Sequence, residues 1–477
     1  AEIDVEALPW RIRSPLEKID PLLPWLDEGL ALAEAAPSLL GLNKLRTYLV
    51  LALNEDELRP GGGFITGVGE IQLNNGDIAK MDFKDAYAVD DFSQPYPNPP
   101  DPLRQFLGVD LWVLRDSNWS PDFPTAARQA IHLYRPGYEV EIDGVIAVDQ
   151  HAVQQLVKAI GPLTVQGVDQ PITGASLLDY IHQAWAPEGG EIDREWWKQR
   201  KDFMGTIAQS ALARVQSGHV DWRSLATNTM QLLEEKHLLI TAKEPAVSKL
   251  LAERGWDGSL HRPQGDYLML VEANLGYNKA SAKIQRAVQY QVDLTQTPPQ
   301  AELTLTYTHT SDVDISCTPE IRYDPVYTQM MDRCYWAYLR LYLPDGIELQ
   351  RASRHPIPAS ALYGGERWSG SAVVSSASKH TVVGQALLLP TAAQSEMIFQ
   401  YTLPETVSSN NEETKHYRLD LQKQAGMISL PIDVTVRLPA DAEIVSTTPS
   451  AVSSDGLMRF VIDLQQDTIL NITYRVP

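Results

Sequence analysis

Apolar positions recur every three or four residues through much of the first half of the chain. In the second half they alternate with polar ones in short runs. Leu22 to Leu45 carries apolar residues at helical spacing, broken by Pro24 and Pro37. "TYLVLALN", Thr47 to Asn54, is a continuous apolar run rich in strand formers and predicts a buried strand. "FITGVGEIQL" and "IAKMDF" are two further strand-like runs joined by "NNGD". Asn and Gly both tolerate positive φ, so this joint predicts a tight hairpin. Counting back from Asn75 and Gly76 puts Asn74 opposite Asp77 and Thr66 opposite Asp85. The hairpin is thus expected to bring Arg59 and the glycines of "LRPGGGF" beside Lys84 and Asp85, with the glycines leaving room for a close approach.

The Pro-rich stretch Gln94 to Pro102 reads as a surface loop. Behind it, "LRDSNWSPDFPTAARQAIHLY" predicts a loop entering a helix over Thr125 to Tyr134, with Pro124 in its first turn. "IDGVIAVDQHAVQQLVKAIGPLTV" reads as strand, helix, a stop at Gly161-Pro162, and a second strand. That rhythm argues for an α/β layer. Helical patterns continue from Ser176 to about Leu251, interrupted over Pro187 to Gly190. From about Tyr267 the runs become short, alternating and divided by Pro, Gly and Asp, which predicts a β-sandwich. The expected organisation is a helical segment over 1–45, an α/β domain over 46–285 and an all-β sandwich-like domain over 286–477, the boundary falling between Ala280 and Pro299.

Composition narrows the function classes. Net charge is −21, which argues against a nucleic-acid partner, because neutralising phosphates needs clustered Lys and Arg. Apolar residues at 44% and charged residues at 21% exclude wholesale disorder. No apolar run approaches the ~20 residues of a bilayer span, and Ala1 opens no signal peptide. The chain therefore reads as soluble, or as the trimmed outer portion of something once anchored. Cys317 and Cys334 are its two cysteines. They fit either a disulfide formed in an oxidising compartment or two buried thiols, with no CxxC or Cys/His metal spacing. The histidines show no HExxH pattern and no GxSxG elbow is present, so neither a zinc enzyme of that type nor a Ser hydrolase is expected.

Three stretches together, "LRPGGGFI", "LRDSNWSPDFPTAA" and "IDGVIAVD…LVKAIGPLTV", closely resemble an uncharacterised bacterial envelope family with a domain of unknown function. "DYLMLVEANLGYNKA", Asp266 to Ala280, is similar to the same family. More distantly, the order of parts is similar to the LytR-CpsA-Psr phosphotransferases, which move glycopolymers from a polyprenyl pyrophosphate carrier to the cell wall. That resemblance implies a mixed sheet with flanking helices. It implies catalytic roles for Arg59, Asp85 and Arg194, and Mg²⁺ held by Asp85 with Asp116 or Asp193. Lys84, Arg115, Trp119, Lys198 and Arg200 would contact the substrate. Lys84 and Lys198 stand where the phosphotransferases have Arg, and Lys lacks the two-pronged phosphate grip, which points to a degenerate site.

Trp119 also suits a plug under its loop, and Asp122 a cap on the following helix. Trp196 and Trp197 could border an apolar groove. The expectation is an extracytoplasmic envelope protein, anchored through a segment absent from this chain, that binds and transfers a phosphate-linked polyprenyl or glycan substrate. The alternative is a non-catalytic surface scaffold or a structural subunit of a membrane-associated assembly, with an envelope or membrane protein as partner.

Overall fold

The computed structural model describes residues 34–134, 140–185, 201–410, 414–454 and 456–476. The first layer is a five-stranded mixed sheet. Its strands are β1 (Arg46–Asn54), β2 (Phe64–Asn74), β3 (Asp77–Asp85), β4 (Gly144–Val148) and β5 (Leu238–Ala242), in the order β3-β2-β1-β4-β5. β1 runs parallel to β4; the other neighbours are antiparallel. The hairpin between β2 and β3 turns on Asn75 and Gly76, both at positive φ (51° and 86°), and Asn74 faces Asp77. A register shift between Gln72 and Leu73 displaces the pairing by one residue, so Asp85 lies opposite Gly67 rather than Thr66. A bulge inserts an unpaired residue that counting from the turn cannot foresee.

Helices α1 (Phe123–Tyr134), α2 (Gln150–Ile160), α3 (Leu177–Trp185), α4 (Asp202–Gln216), α5 (Trp222–Glu234) and α6 (Pro245–Glu253) flank this sheet. Strand alternation sends Leu49, Leu51 and Val145 into one core with Ala126 and Ala130 of α1. Ile146 and Val148 point the other way, toward Ala152 of α2, Leu232 of α5 and Leu251 of α6. Two expectations are corrected here. The run after Gly161-Pro162 makes only an isolated bridge, Leu163 to Ile172, and does not join the sheet. The fifth strand is instead "LLITA" of β5, which lies inside the stretch read as helical.

The β-rich half is built from two further mixed sheets, of seven and eight strands. Their inner faces share one core that includes Val288, Leu303, Phe399, Val434, Leu339 and Leu470. β6 (Asp266–Asn274) lies in the eight-stranded sheet and every one of its residues is buried. This half thus opens at Asp266, one residue before the change of texture read at Tyr267 and ahead of the domain edge drawn at 286.

The two halves share a seam. Gly61 pairs with Ala425 in a parallel bridge, and Leu58 enters the sandwich core while Ala425 enters the core of the first layer. Gly62 and Gly426 both take positive φ (121° and 77°), and a Cβ at Gly426 would fall 1.8 Å from the Gly62 carbonyl oxygen. The glycines of "RPGGGF" therefore allow one backbone to press against another. Cys317 and Cys334 form a disulfide. No helix among the described residues is long and apolar enough to cross a membrane, which says nothing of β-barrels.

Candidate functional site: an apolar cavity with two ion pairs

Below the face of the first sheet that α2 covers lies a cavity of about 330 Å³. Its floor is Val50 and Ala52 of β1 with Val148 of β4. Its walls are Val153, Leu156 and Val157 of α2, Ile181 and Trp185 of α3, and Met204, Ile207, Ala208 and Ala211 of α4. Tyr277, Lys279, Tyr323, Tyr327 and Met330, from beyond the first layer, complete it. Gly67 of β2 explains how α4 comes so near, because a Cβ there would meet Met204 Cε at 2.4 Å. Tyr87 and Tyr323 line the cavity and remain about two-fifths exposed, at 41% and 39%, which marks the rim.

The polar lining is concentrated in two buried ion pairs. Lys201 Nζ lies 2.9 Å from Asp85 Oδ1 and donates to the Thr66 carbonyl at 2.5 Å. Lys279 Nζ lies 2.7 Å from Glu57 Oε2. The two ammoniums flank an aromatic pair: Lys201 sits 5.4 Å from the Tyr87 ring and Lys279 5.4 Å from the Phe64 ring, with the rings 6.4 Å apart. Burial of such charges is tolerable only because each has a counter-charge. From the turn that also carries Glu57, Asp56 Oδ2 accepts from the Tyr327 hydroxyl at 2.6 Å, and that hydroxyl accepts from Asn54 Nδ2 at 2.9 Å.

Arg59 and Asp85 are not brought together. Arg59 is 1% exposed and lies in the seam. Its guanidinium donates to Glu57 Oε1 at 3.0 Å, to Asp116 Oδ1 at 3.4 Å and to the main-chain carbonyl of Asn274. Gln424 in turn donates to the Arg59 carbonyl at 2.9 Å. Burial alone would pull the Arg59 pKa down, but Glu57 and Asp116 outweigh it and hold it up. Burial pushes Asp116 above the usual carboxylate range against the pull of Arg59 and Arg115. Asp85, meanwhile, accepts from Lys201 and from the Tyr87 amide at 3.0 Å, the latter as the cap of a short 3-10 turn.

The other expected residues divide. Arg115 pairs with Asp90 and lies 4.3 Å over the Tyr87 ring, close to the rim. Trp119 is clamped against the sandwich, with Arg340 stacked 4.4 Å over its ring and donating to its carbonyl at 2.7 Å. Lys84 is 38% exposed on β3, 3.4 Å from Asp82. Asp122 caps α1 through the Thr125 amide at 3.1 Å and also accepts from Leu260 N at 3.0 Å. Asp193, Arg194, Lys198 and Arg200, with Trp196 and Trp197, lie outside the described residues. Of the expected Mg²⁺ carboxylates, Asp85 faces Lys201 and Asp116 faces Arg59.

Lys201 and Lys279 were not singled out as phosphate contacts by the sequence pattern. Lys201 sits in the same basic run as Lys198 and Arg200, at the entry to α4, and a helix register for that run would have been the signal. Lys279 sits in "NLGYNKA", which reads as a turn, and only its contact with Glu57 reveals it.

A family model described as "Protein of unknown function (DUF4012)" matches residues 43–185, less than a third of the chain. No curated protein matches. Among solved structures, the chain is similar to the Lin1025 protein from Listeria innocua at 13% identity and a TM-score of 0.26, over 48% of this chain and 87% of that one. The transcriptional regulator yvhJ from Bacillus subtilis overlays at 11% identity and a TM-score of 0.26, over 47% and 85%. An M1 zinc metallopeptidase from Deinococcus radiodurans gives 10% identity and a TM-score of 0.20, over 40% and 42%. Overlays this loose carry no argument about fold or function. The first domain is thus similar, over residues 43–185, to a domain of unknown function, and the β-rich half lies beyond that match.

Proposed function

We propose that the cavity holds the hydrocarbon chain of a phosphate-linked polyprenyl lipid, with its anionic head beside Lys201 and Lys279. The single observation that carries this reading is an apolar chamber with two buried ammoniums among its lining groups. Its volume lies at the small end of the roughly 300–1,000 Å³ of ligand pockets, enough to take one end of a long chain. Hydrocarbon burial would supply most of the affinity, at about 25 cal/mol per Å² of apolar surface covered. The ammoniums would select an anionic head, since Lys binds phosphate as a point charge.

Carriage or sensing is better supported than transfer. Transfer needs positive groups aimed at the phosphoryl oxygens, and Arg59, the residue proposed to lead that chemistry, is committed to the seam. The Cys317–Cys334 bond supports an oxidising location outside the cytoplasm, consistent with a cell-envelope role. The scaffold reading draws on the same seam, which ties the halves into one body.

The test uses three probes with the full chain in mild detergent: a polyprenyl phosphate, the matching polyprenol, and inorganic phosphate. Native mass spectrometry should show one equivalent of polyprenyl phosphate, weaker polyprenol and no retained inorganic phosphate. Failure of both lipids to bind would remove this reading and leave the scaffold.

A further inference from the structure

A second cluster lies at the far end of the β4–β5 pair. These strands pair antiparallel with Val148 opposite Leu238, so the residues leaving β4 stand beside those entering β5. Asp149 N donates to the His237 carbonyl at 3.3 Å across that junction. Lys236 takes a left-handed turn (φ 59°) between α5 and β5, which sets Glu235 and His237 on either side of it. His151 follows Asp149 in the first turn of α2, and its ring centroid lies 4.5 Å from that of His237. One ligand atom from each of His151, Glu235 and His237 lies within 4.8 Å of the other two.

The orientation of His237 is the decisive detail. Its Nδ1 lies 2.6 Å from Asp149 Oδ2, which fixes the ring and places the proton on that nitrogen. In the neutral ring the opposite nitrogen, Nε2, carries the lone pair; it is fully buried and has no hydrogen-bond partner among the described residues, and the side chain as a whole is 1% exposed. An unpartnered buried acceptor is costly and uncommon in folded proteins. A carboxylate behind one imidazole nitrogen, with two further donors beside the same ring, is the arrangement that orients histidine toward a metal. The nearby ammoniums are otherwise engaged: Lys236 with Asp467 at 2.7 Å, and Lys423 with the Glu235 main-chain carbonyl at 2.6 Å.

We propose that His151, Glu235 and His237 form a binding site for a divalent transition metal, best matched by Zn²⁺, with Asp149 as the supporting hydrogen-bond acceptor. Two imidazoles and one carboxylate suit Zn²⁺ in four-coordinate geometry, with water in the fourth position. Tetrahedral bonds of about 2.0–2.1 Å require only a small inward movement of the three side chains from their present spacing. Asp149 and Gln150 line the lipid cavity, so an ion here would brace the wall from behind. The site stands independently of the lipid reading.

The test is titration of the full chain, stripped with chelator, with Co²⁺ and then with Zn²⁺ in competition. One equivalent of Co²⁺ should give the intense visible bands of a four-coordinate site, displaced by Zn²⁺, and Zn²⁺ should raise the melting temperature. His237→Ala and the half-buried, fold-sparing His151→Gln should each weaken uptake by at least about 10-fold, and Asp149→Asn by about 10- to 100-fold. His416→Ala, remote from the cluster, should bind as wild type. No uptake by wild type would overturn the proposal. So would uptake undiminished in His151→Gln, which would place the ion elsewhere.

Discussion

Arg59 Nη2 stands 3.0 Å from Glu57 Oε1, and neither side chain reaches solvent. Glu57 uses its other oxygen for Lys279, so one carboxylate couples the seam to the cavity wall. Removing the guanidinium takes the ion-pair partner from buried Asp116 and leaves Glu57 with Lys279 alone. Arg59→Ala is therefore expected to cost about 3–5 kcal/mol of stability in urea unfolding. Lipid retention per folded molecule should remain close to wild type. A variant as stable as wild type, yet unable to retain lipid, would restore Arg59 to the binding site.

Two substitutions separate the chamber from its charges. Ala208→Trp fills the apolar space lined by α4 and should abolish retention of both polyprenyl phosphate and polyprenol. Lys201→Ala should weaken the phosphate lipid about 10-fold or more while leaving polyprenol unaffected, because it removes charge without closing the chamber. The measurement is native mass spectrometry against a lipid titration. Equal loss of both lipids in Lys201→Ala would mean that the head does not sit there.

Asp266 supplies a pH dependence. It is fully buried, accepts from the Tyr290 and Tyr417 hydroxyls at 2.7 and 2.6 Å, and burial pushes its pKa up to about 6 from 3.8. Below about pH 4 both folded and unfolded chains hold this proton and the group is neutral in the balance. Between about 4 and 6 the unfolded chain releases it first, so its contribution to stability falls as pH rises, by up to about 3 kcal/mol. Asp266→Asn should flatten that slope, seen as a smaller difference between urea midpoints at pH 4 and pH 7 than wild type shows. An unchanged difference would exclude Asp266 as its source.

The disulfide joins residues 17 apart in sequence. Closing a loop of that size stabilises by about 3 kcal/mol, chiefly by restricting the unfolded chain. Mild reduction, or Cys317→Ser with Cys334→Ser, should lower the unfolding midpoint and also weaken lipid retention, since the loop that the bond closes carries Tyr323, Tyr327 and Met330 of the cavity wall. Retention unchanged after reduction would contradict this.

Much of the architecture is written in short-range pattern. The β2–β3 hairpin, the α1 cap at Asp122 and the alternating sandwich strands each depend on residues within a few positions of one another. What escaped are features set by distant chain. The bulge at Gln72 moved Asp85 by one residue. β5 hid within a helical texture because a five-residue run with four apolar positions suits either state. Arg59 invited a phosphate reading because, of Glu57, Asp116, Asn274 and Gln424, only Glu57 is near in sequence, while the others lie 57, 215 and 365 residues away. His151 and His237 carry no motif for the same reason; only the pairing of β4 with β5 places them together.

Tyr277, Tyr323, Tyr327 and Met330 come from the far side of the seam, yet they form part of the chamber. The vessel is thus a joint product of both halves. Transplanting the first layer alone onto another carrier would leave one side of the vessel gaping to water, and the hydrocarbon guest would have nothing to displace. Any inheritance of this chamber must travel with the β-rich partner that closes it.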